Sequence, residues 1–218
     1  MVIFDCNGVL VDSEMLAASV ASQEFMRAGF PLPAEVIGRY FVGRRPADMF
    51  AEIETAAGRR LPPHFAMRVA DAILARFRTE LRATAHVTYA LSWLRGPKCV
   101  ASSSSFDRIR LSLESTDLIR FFDPYLFSGS EVRNGKPAPD LFLMAAVKMH
   151  VEPSECIVVE DSAVGVAAAK AAGMKPIGFV GGSHAGDQLA AQLKREGARI
   201  VINDMRALKG AIVELRGW

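Results

Sequence analysis

The sequence predicts an α/β protein, a three-layer core built on a parallel sheet, with a small all-helical domain inserted near its start. Two observations predict this. From Lys98 onward, short apolar runs alternate with helical patterns, as strand–helix units do when helices cover both faces of a parallel sheet. Before that, from Asp12 to about Arg82, strand signals vanish and four helical patterns follow one another.

The elements read as follows. "VIFD" is a short β-branched and aromatic run closed by an acid, with Gly8 soon after, which suits a buried parallel strand delivering a side chain at its carboxyl end. "DSEMLAASVASQEFMRAG" opens on Asp and Ser as candidate caps, carries apolar residues at helical spacing and closes on Gly29. "PLPAEVIGRYF", "RPADMFAEIETAAG" and "PPHFAMRVADAILARFRTEL" repeat the scheme, with prolines near each start. Then come strand–helix pairs: "KCVAS" with a helix over about 106–115, "PYLFSG" with 139–150, and "CIVVED" with 163–172. "KPIGFV" precedes a helix near 188–195, and "ARIVI" one near 205–215. The expected division is a core of residues 1–12 and 84–218 and a helical domain of 13–83. Crossovers should be right-handed, with any ligand at the strands' carboxyl ends.

Composition excludes several classes. The 218 residues are half hydrophobic and 23% charged, as in a packed globular protein. The net charge of +2 comes from 26 basic and 24 acidic residues with no long single-sign block, so neither a nucleic-acid nor a membrane partner is expected. Cys6, Cys99 and Cys156 lack metal-ligand spacing and read as reduced core thiols. "MVIFDCNG" carries no basic, signal-like start, so a reducing, cytoplasmic home is expected. A monomer or weak dimer is the expected assembly.

Four strand ends aim polar groups at one rim: Asp5 after the first, Ser102 after the second, Lys136 in the loop after the third, Glu160 and Asp161 after the fourth. In "FDCNGVLVDSE" the turn at Gly8 lets Asp5 and a backbone carbonyl at Asn7 share one space, offering the oxygen ligands that Mg²⁺ prefers. A carboxylate there can also attack phosphorus. In "VASSSS", Ser102 with the N–H groups of Ser103 and Ser104 can form an anion nest; such a run also serves as an ordinary loop and helix cap. In "GKPAPDLF", prolines stiffen the approach to a helix, and Lys136 there can neutralise a phosphate beside a carboxylate. In "VVEDSAVG" the adjacent acids repel unless compensated; Asp161 as a metal ligand supported by Glu160 resolves that, and an N-cap pair is the alternative.

Together these motifs resemble the haloacid dehalogenase superfamily, in its phosphatase and β-phosphoglucomutase-like branch with a helical cap. They occur in family order, and the helical insertion falls just after the first. The resemblance implies a Rossmann-like core, Mg²⁺ as cofactor, and a small phosphorylated metabolite as substrate. It makes Asp5 the nucleophile, Ser102 the phosphate-binding hydroxyl, Lys136 the charge clamp, and Asp5, Asn7, Glu160 and Asp161 the metal site.

One residue departs from the family's pattern. Its phosphatases carry a second aspartate, as general acid and base, where this chain has Asn7. An amide cannot transfer that proton, a role worth about 10²–10⁴-fold. Either the leaving group needs no protonation, or another group such as Glu14 or a cap residue supplies the proton, or the Asn is an engineered substitution. Dehalogenase or phosphonate hydrolase chemistry, or a weakened phosphate-ester-binding protein, stays open beside the leading expectation of a sugar or polyol phosphate phosphatase. "FVGRRPADM" is the expected cap loop over the site. In it Gly43, Arg44 and Arg45 are candidates for contact with a substrate anion, and solvated surface arginines are the alternative. The histidine that related mutases carry soon after the first motif is missing from "EMLAAS", which favours hydrolysis.

Overall fold

The computed structural model describes residues 1–40 and 42–217. Six strands form one parallel sheet in the order β3-β2-β1-β4-β5-β6. They are β1 (Val2–Phe4), β2 (Lys98–Ser102), β3 (Leu126–Ser128), β4 (Ile157–Glu160), β5 (Lys175–Phe179) and β6 (Ile200–Ile202). Chain direction across the sheet reverses between β1 and β4, and a crevice opens at such a switch point beyond the strands' carboxyl ends.

The strands alternate sides as extended chain must. Val2 and Phe4 of β1, Val100 of β2 and Val159 of β4 enter one apolar cluster, while Ile3, Cys99, Ala101 and Val158 enter another on the opposite face. Burial on both faces explains why these strands read as unbroken apolar runs. All three cysteines are buried free thiols.

Four helices lie between β1 and β2: α1 (Glu14–Arg27), α2 (Ala34–Tyr40), α3 (Pro46–Ala57) and α4 (Phe65–Glu80). Phe25, Phe50 and Phe65 pack ring on ring among them, with centroids 4.8 to 5.9 Å apart. Their cluster runs unbroken into the face of the sheet that holds Phe4. The remaining helices are α5 (Val87–Trp93), α6 (Phe106–Ser115), α7 (Asp140–Lys148), α8 (Ala163–Ala171), α9 (Leu189–Glu196) and α10 (Leu208–Arg216).

Three local details differ from the sequence reading. Helix α5 falls in a stretch to which the patterning assigned no element; Val87, Ala90 and Leu91 give it only one short buried stripe. The last predicted helix begins as a 3₁₀ turn, Met205–Ala207, capped by the Asp204 side chain. Asp12 does not cap α1: its Oδ1 accepts from the Ser183 amide at 3.0 Å and the Ser183 hydroxyl at 2.8 Å, tying the first motif to the loop after β5. Among the described residues no helix is long and apolar enough to cross a membrane.

Candidate active site

The parallel register brings the strand ends together. Phe4 stands opposite both Val100 and Val159, so Asp5 emerges one residue beyond β1 between Ala101 and Glu160. Its amide donates to the Val159 carbonyl at 3.0 Å, which fixes the backbone from which the carboxylate projects. Lys136, from the loop after β3, reaches across the rim with its side chain wholly buried. Its Nζ donates to Asp5 Oδ1 at 2.9 Å and makes a short ion pair with Glu160 Oε1. Burial alone pulls an ammonium's pKa down; the Asp5 and Glu160 carboxylates outweigh it and hold the Lys136 pKa above its ordinary value. The lysine is therefore a fixed positive charge.

Glu160 and Asp161 are adjacent in sequence but live differently. Both Glu160 oxygens have partners: Oε1 meets Lys136, and Oε2 accepts from the Ser162 amide at 3.2 Å and its hydroxyl at 2.9 Å. Ser162 is also the N-cap of α8, accepting from the Gly165 amide, so the acids are not the cap. Asp161 is buried; its Oδ1 has no hydrogen-bond partner, and its Oδ2 faces only His184 Nε2 at 3.0 Å. Burial pushes its carboxyl up to about 7, and Glu160 and Asp5 add to that, while His184 opposes it. Asp5, Glu160 and Asp161 each offer an oxygen within 4.8 Å of the others.

A buried carboxylate with one unpartnered oxygen in this cluster, with the unpartnered Asn7 Oδ1 in the same rim, is the donor chemistry a hard divalent cation takes. Gly8, at φ +70°, makes the approach possible, since a Cβ there would stand 1.8 Å from Asp161 Oδ2. The residues therefore fit Mg²⁺, with Asp5, Asp161 and Asn7 as oxygen donors and Glu160 orienting Lys136.

The serine run turns from β2 into α6 beside this cluster. Ser102 is fully buried, and its Oγ accepts from the Ser104 amide. Ser104 Oγ accepts from Asn7 Nδ2 at 2.8 Å, and Ser103 Oγ donates to the Gly43 carbonyl at 2.8 Å. Gly43 thus docks the α2–α3 loop directly on the rim. Arg45 forks onto Asp48 and donates to the carbonyls of Val132 and Arg133, clamping that loop to the segment before Lys136. Arg44 pairs with Glu52 at 2.7 Å. Both arginines line the cavity over the site with already engaged guanidinium groups; Phe41, the first residue of the expected loop, lies outside the described residues.

The family follows from comparison. A model of the haloacid dehalogenase-like hydrolases matches residues 1–173, most of the chain. This chain belongs to the haloacid dehalogenase-like hydrolases. It is 32% identical to a 6-phosphogluconate phosphatase of Escherichia coli over 84% of this chain and 83% of that one. It is 30% identical to a phosphorylated carbohydrates phosphatase of Thermotoga maritima, over 81% and 82%. Among solved structures, a haloacid dehalogenase-like protein of Agrobacterium tumefaciens superposes with a TM-score of 0.83 at 35% identity, over 99% and 98%. A hydrolase of the same family from Deinococcus radiodurans, solved with bound phosphate and sodium, gives 0.76 at 31%, over 99% and 95%. The chain is accordingly an enzyme of the phosphatase branch.

This haloacid dehalogenase-like hydrolase also holds groups that the motifs did not announce. His184, from the glycine-rich loop after β5, puts Nε2 3.0 Å from Asp161 Oδ2, and that contact raises the imidazole's pKa against the effect of burial. "GGSHAG" follows a strand end as the other motifs do, and that placement was its one signal. Arg108 of α6 stacks over the Phe77 ring at 5.0 Å and lines the cavity together with Glu14. Burial raises the Glu14 carboxyl's pKa, against the pull of Arg108.

Proposed function

We propose that this enzyme is a Mg²⁺-dependent phosphatase of a small phosphorylated metabolite, in the sugar or polyol phosphate class, that carries the phosphoryl group transiently on Asp5. The observation that carries the reading is Asp5 itself. One oxygen is held by a fully buried lysine, beside further metal-type oxygen donors, and the residue opens into a cavity of about 450 Å³ with the serine loop on its wall. The names of the Escherichia coli and Thermotoga maritima relatives support the substrate class.

In this reading an Asp5 oxygen attacks phosphorus, the bond to the leaving oxygen breaks, and an acyl phosphate forms on Asp5. Ser102 and the amides of Ser103 and Ser104 receive the phosphoryl oxygens, and Lys136 offsets the charge of nucleophile and phosphate together. Mg²⁺, when held by Asp5, Asn7 and Asp161, supplies positive charge against the phosphoryl oxygens. Asn7 cannot protonate the leaving oxygen. Glu14 is the carboxyl besides Asp5 on the cavity wall among the described residues, and it takes that proton-transfer role. Water then attacks phosphorus, releasing phosphate and restoring Asp5. Residues 13–83 act as a cap, docked through Gly43 and Arg45.

A phosphate-release assay on sugar and polyol phosphates, with and without Mg²⁺, tests the reading. Asp5→Asn should lower turnover by several orders of magnitude, and Asn7→Asp should raise it by about 10²-fold or more. Ser104 Oγ, which accepts from Asn7, can donate to an aspartate there instead, so the variant keeps its tether. Equal turnover in wild type and Asp5→Asn would sink the nucleophile assignment.

A further inference from the structure

The cavity over Asp5 is chemically divided. Its floor is polar: Asp5, Asn7, the serine loop, Glu14 and Arg108. Its upper part lies between α1, α2, α3 and α4. Beyond Glu14, every described residue those helices contribute is apolar, including Ala18, Ala21, Ile37, Phe50, Val69 and Ile73. A binding chamber for a plain sugar needs donors and acceptors for hydroxyls, because burying a hydroxyl without a partner is costly. The two arginines nearest this chamber already face Glu52 and Asp48.

The space is built into the sequence. Helix α1 turns alanines toward it at positions 17, 18 and 21, and α2 contributes Gly38, where a Cβ would meet nothing nearer than Ala18 Cβ at 3.9 Å. Opposite stands Phe50, braced by Phe25 and Phe65, so the wall cannot collapse inward. Small residues on one side and locked aromatic rings on the other leave an apolar chamber that gains by filling with carbon.

We propose that the preferred substrate is an amphipathic phosphate monoester: phosphate and a short polar head on the floor, and an aryl or alkyl substituent in the chamber between the four helices. This rests on the phosphatase reading for the placement of the phosphoryl end, and it departs from a plain sugar or polyol leaving group by adding an apolar substituent to it.

The probes are n-alkylphosphonates from methyl to octyl, which bind like the ester and cannot be hydrolysed, titrated calorimetrically in Mg²⁺ buffer. Each methylene that enters the chamber should tighten binding roughly three- to fourfold, giving at least about 30-fold between methyl- and hexylphosphonate. Gly38→Leu, which fills the chamber, should erase that gain, and Gly38→Ala, which adds one methyl to open space, should keep most of it. Affinity that is flat or falls with chain length overturns the proposal, as does an undiminished gain in Gly38→Leu confirmed folded by circular dichroism. These titrations need no turnover. Chain-length dependence without phosphate release would reject the phosphatase reading alone, and release from short esters without chain-length dependence would reject this inference alone.

Discussion

Lys136 is the side chain on which the site's electrostatics turn. It is the buried cation shared by Asp5 and Glu160, and its ammonium lies over the Phe142 ring with Nζ 4.9 Å from the centroid. Removing it leaves two buried carboxylates facing each other without compensation. Lys136→Ala should therefore cost about 3–5 kcal/mol in metal-free protein, read as a fall in the urea midpoint at unchanged slope. A loss below about 1 kcal/mol would mean the carboxylates are solvated rather than buried. The site residues were legible in the sequence because each sits at a strand's carboxyl end or, for Lys136, in the loop that follows one, where the chain's geometry decides direction. His184 was not, since one histidine among glycines has no periodic partner to mark it. Arg108 and Glu14 were harder still to pair, because their proximity arises only when α6 and α1 come to line one cavity.

At the scale of elements, the α2–α3 loop decides whether the helical segment sits on the core. Gly43 has φ +78°, and a Cβ there would stand 2.2 Å from Ser162 Oγ and 2.6 Å from Ser162 Cβ. Gly43→Ala should push the loop off the rim while leaving the sheet intact. A fall in kcat/KM of about tenfold or more is expected with unchanged far-ultraviolet circular dichroism; unaltered kinetics would show that this contact does not hold the site closed. Strands and long helices were readable because each buries enough carbon to impose a period. The short α5 was not, and Asp12 was offered as a cap by a chain-local argument, as was the Glu160–Asp161 pair in the alternative to its metal-site reading. Asp12 instead reaches Ser183 across the fold, and Ser162 caps α8. Hydrogen bonds between distant segments override local preference wherever they satisfy two loops at once.

For the whole molecule, the sheet order puts the metal-type donors at its switch point, so occupancy of that one site should stabilise the entire fold. At Mg²⁺ a hundredfold above its dissociation constant the gain is about 2.7 kcal/mol, or roughly 5–10 °C in Tm for a chain of this size. Asp161→Asn should abolish the shift; a shift that survives in that variant would place the cation elsewhere. The alternation of strands and helices made the core architecture readable from sequence, whereas the character of the cavity was not. An apolar face that lines a void and one that packs solid have the same period, and only coordinates tell them apart.

The most direct test of Asp5 as nucleophile uses Asn7 as a brake on the second step. With no carboxylate at that position to activate water, a phosphoryl group on Asp5 should persist. The protein would be mixed with acetyl phosphate and Mg²⁺, quenched in acid and weighed whole, and its peptides then mapped. A mass gain of one phosphoryl group on the peptide carrying Asp5, lost on hydroxylamine treatment and missing in Asp5→Asn, is the predicted result. Release of phosphate with no such adduct, at a rate that Asp5→Asn leaves unchanged, would contradict the account.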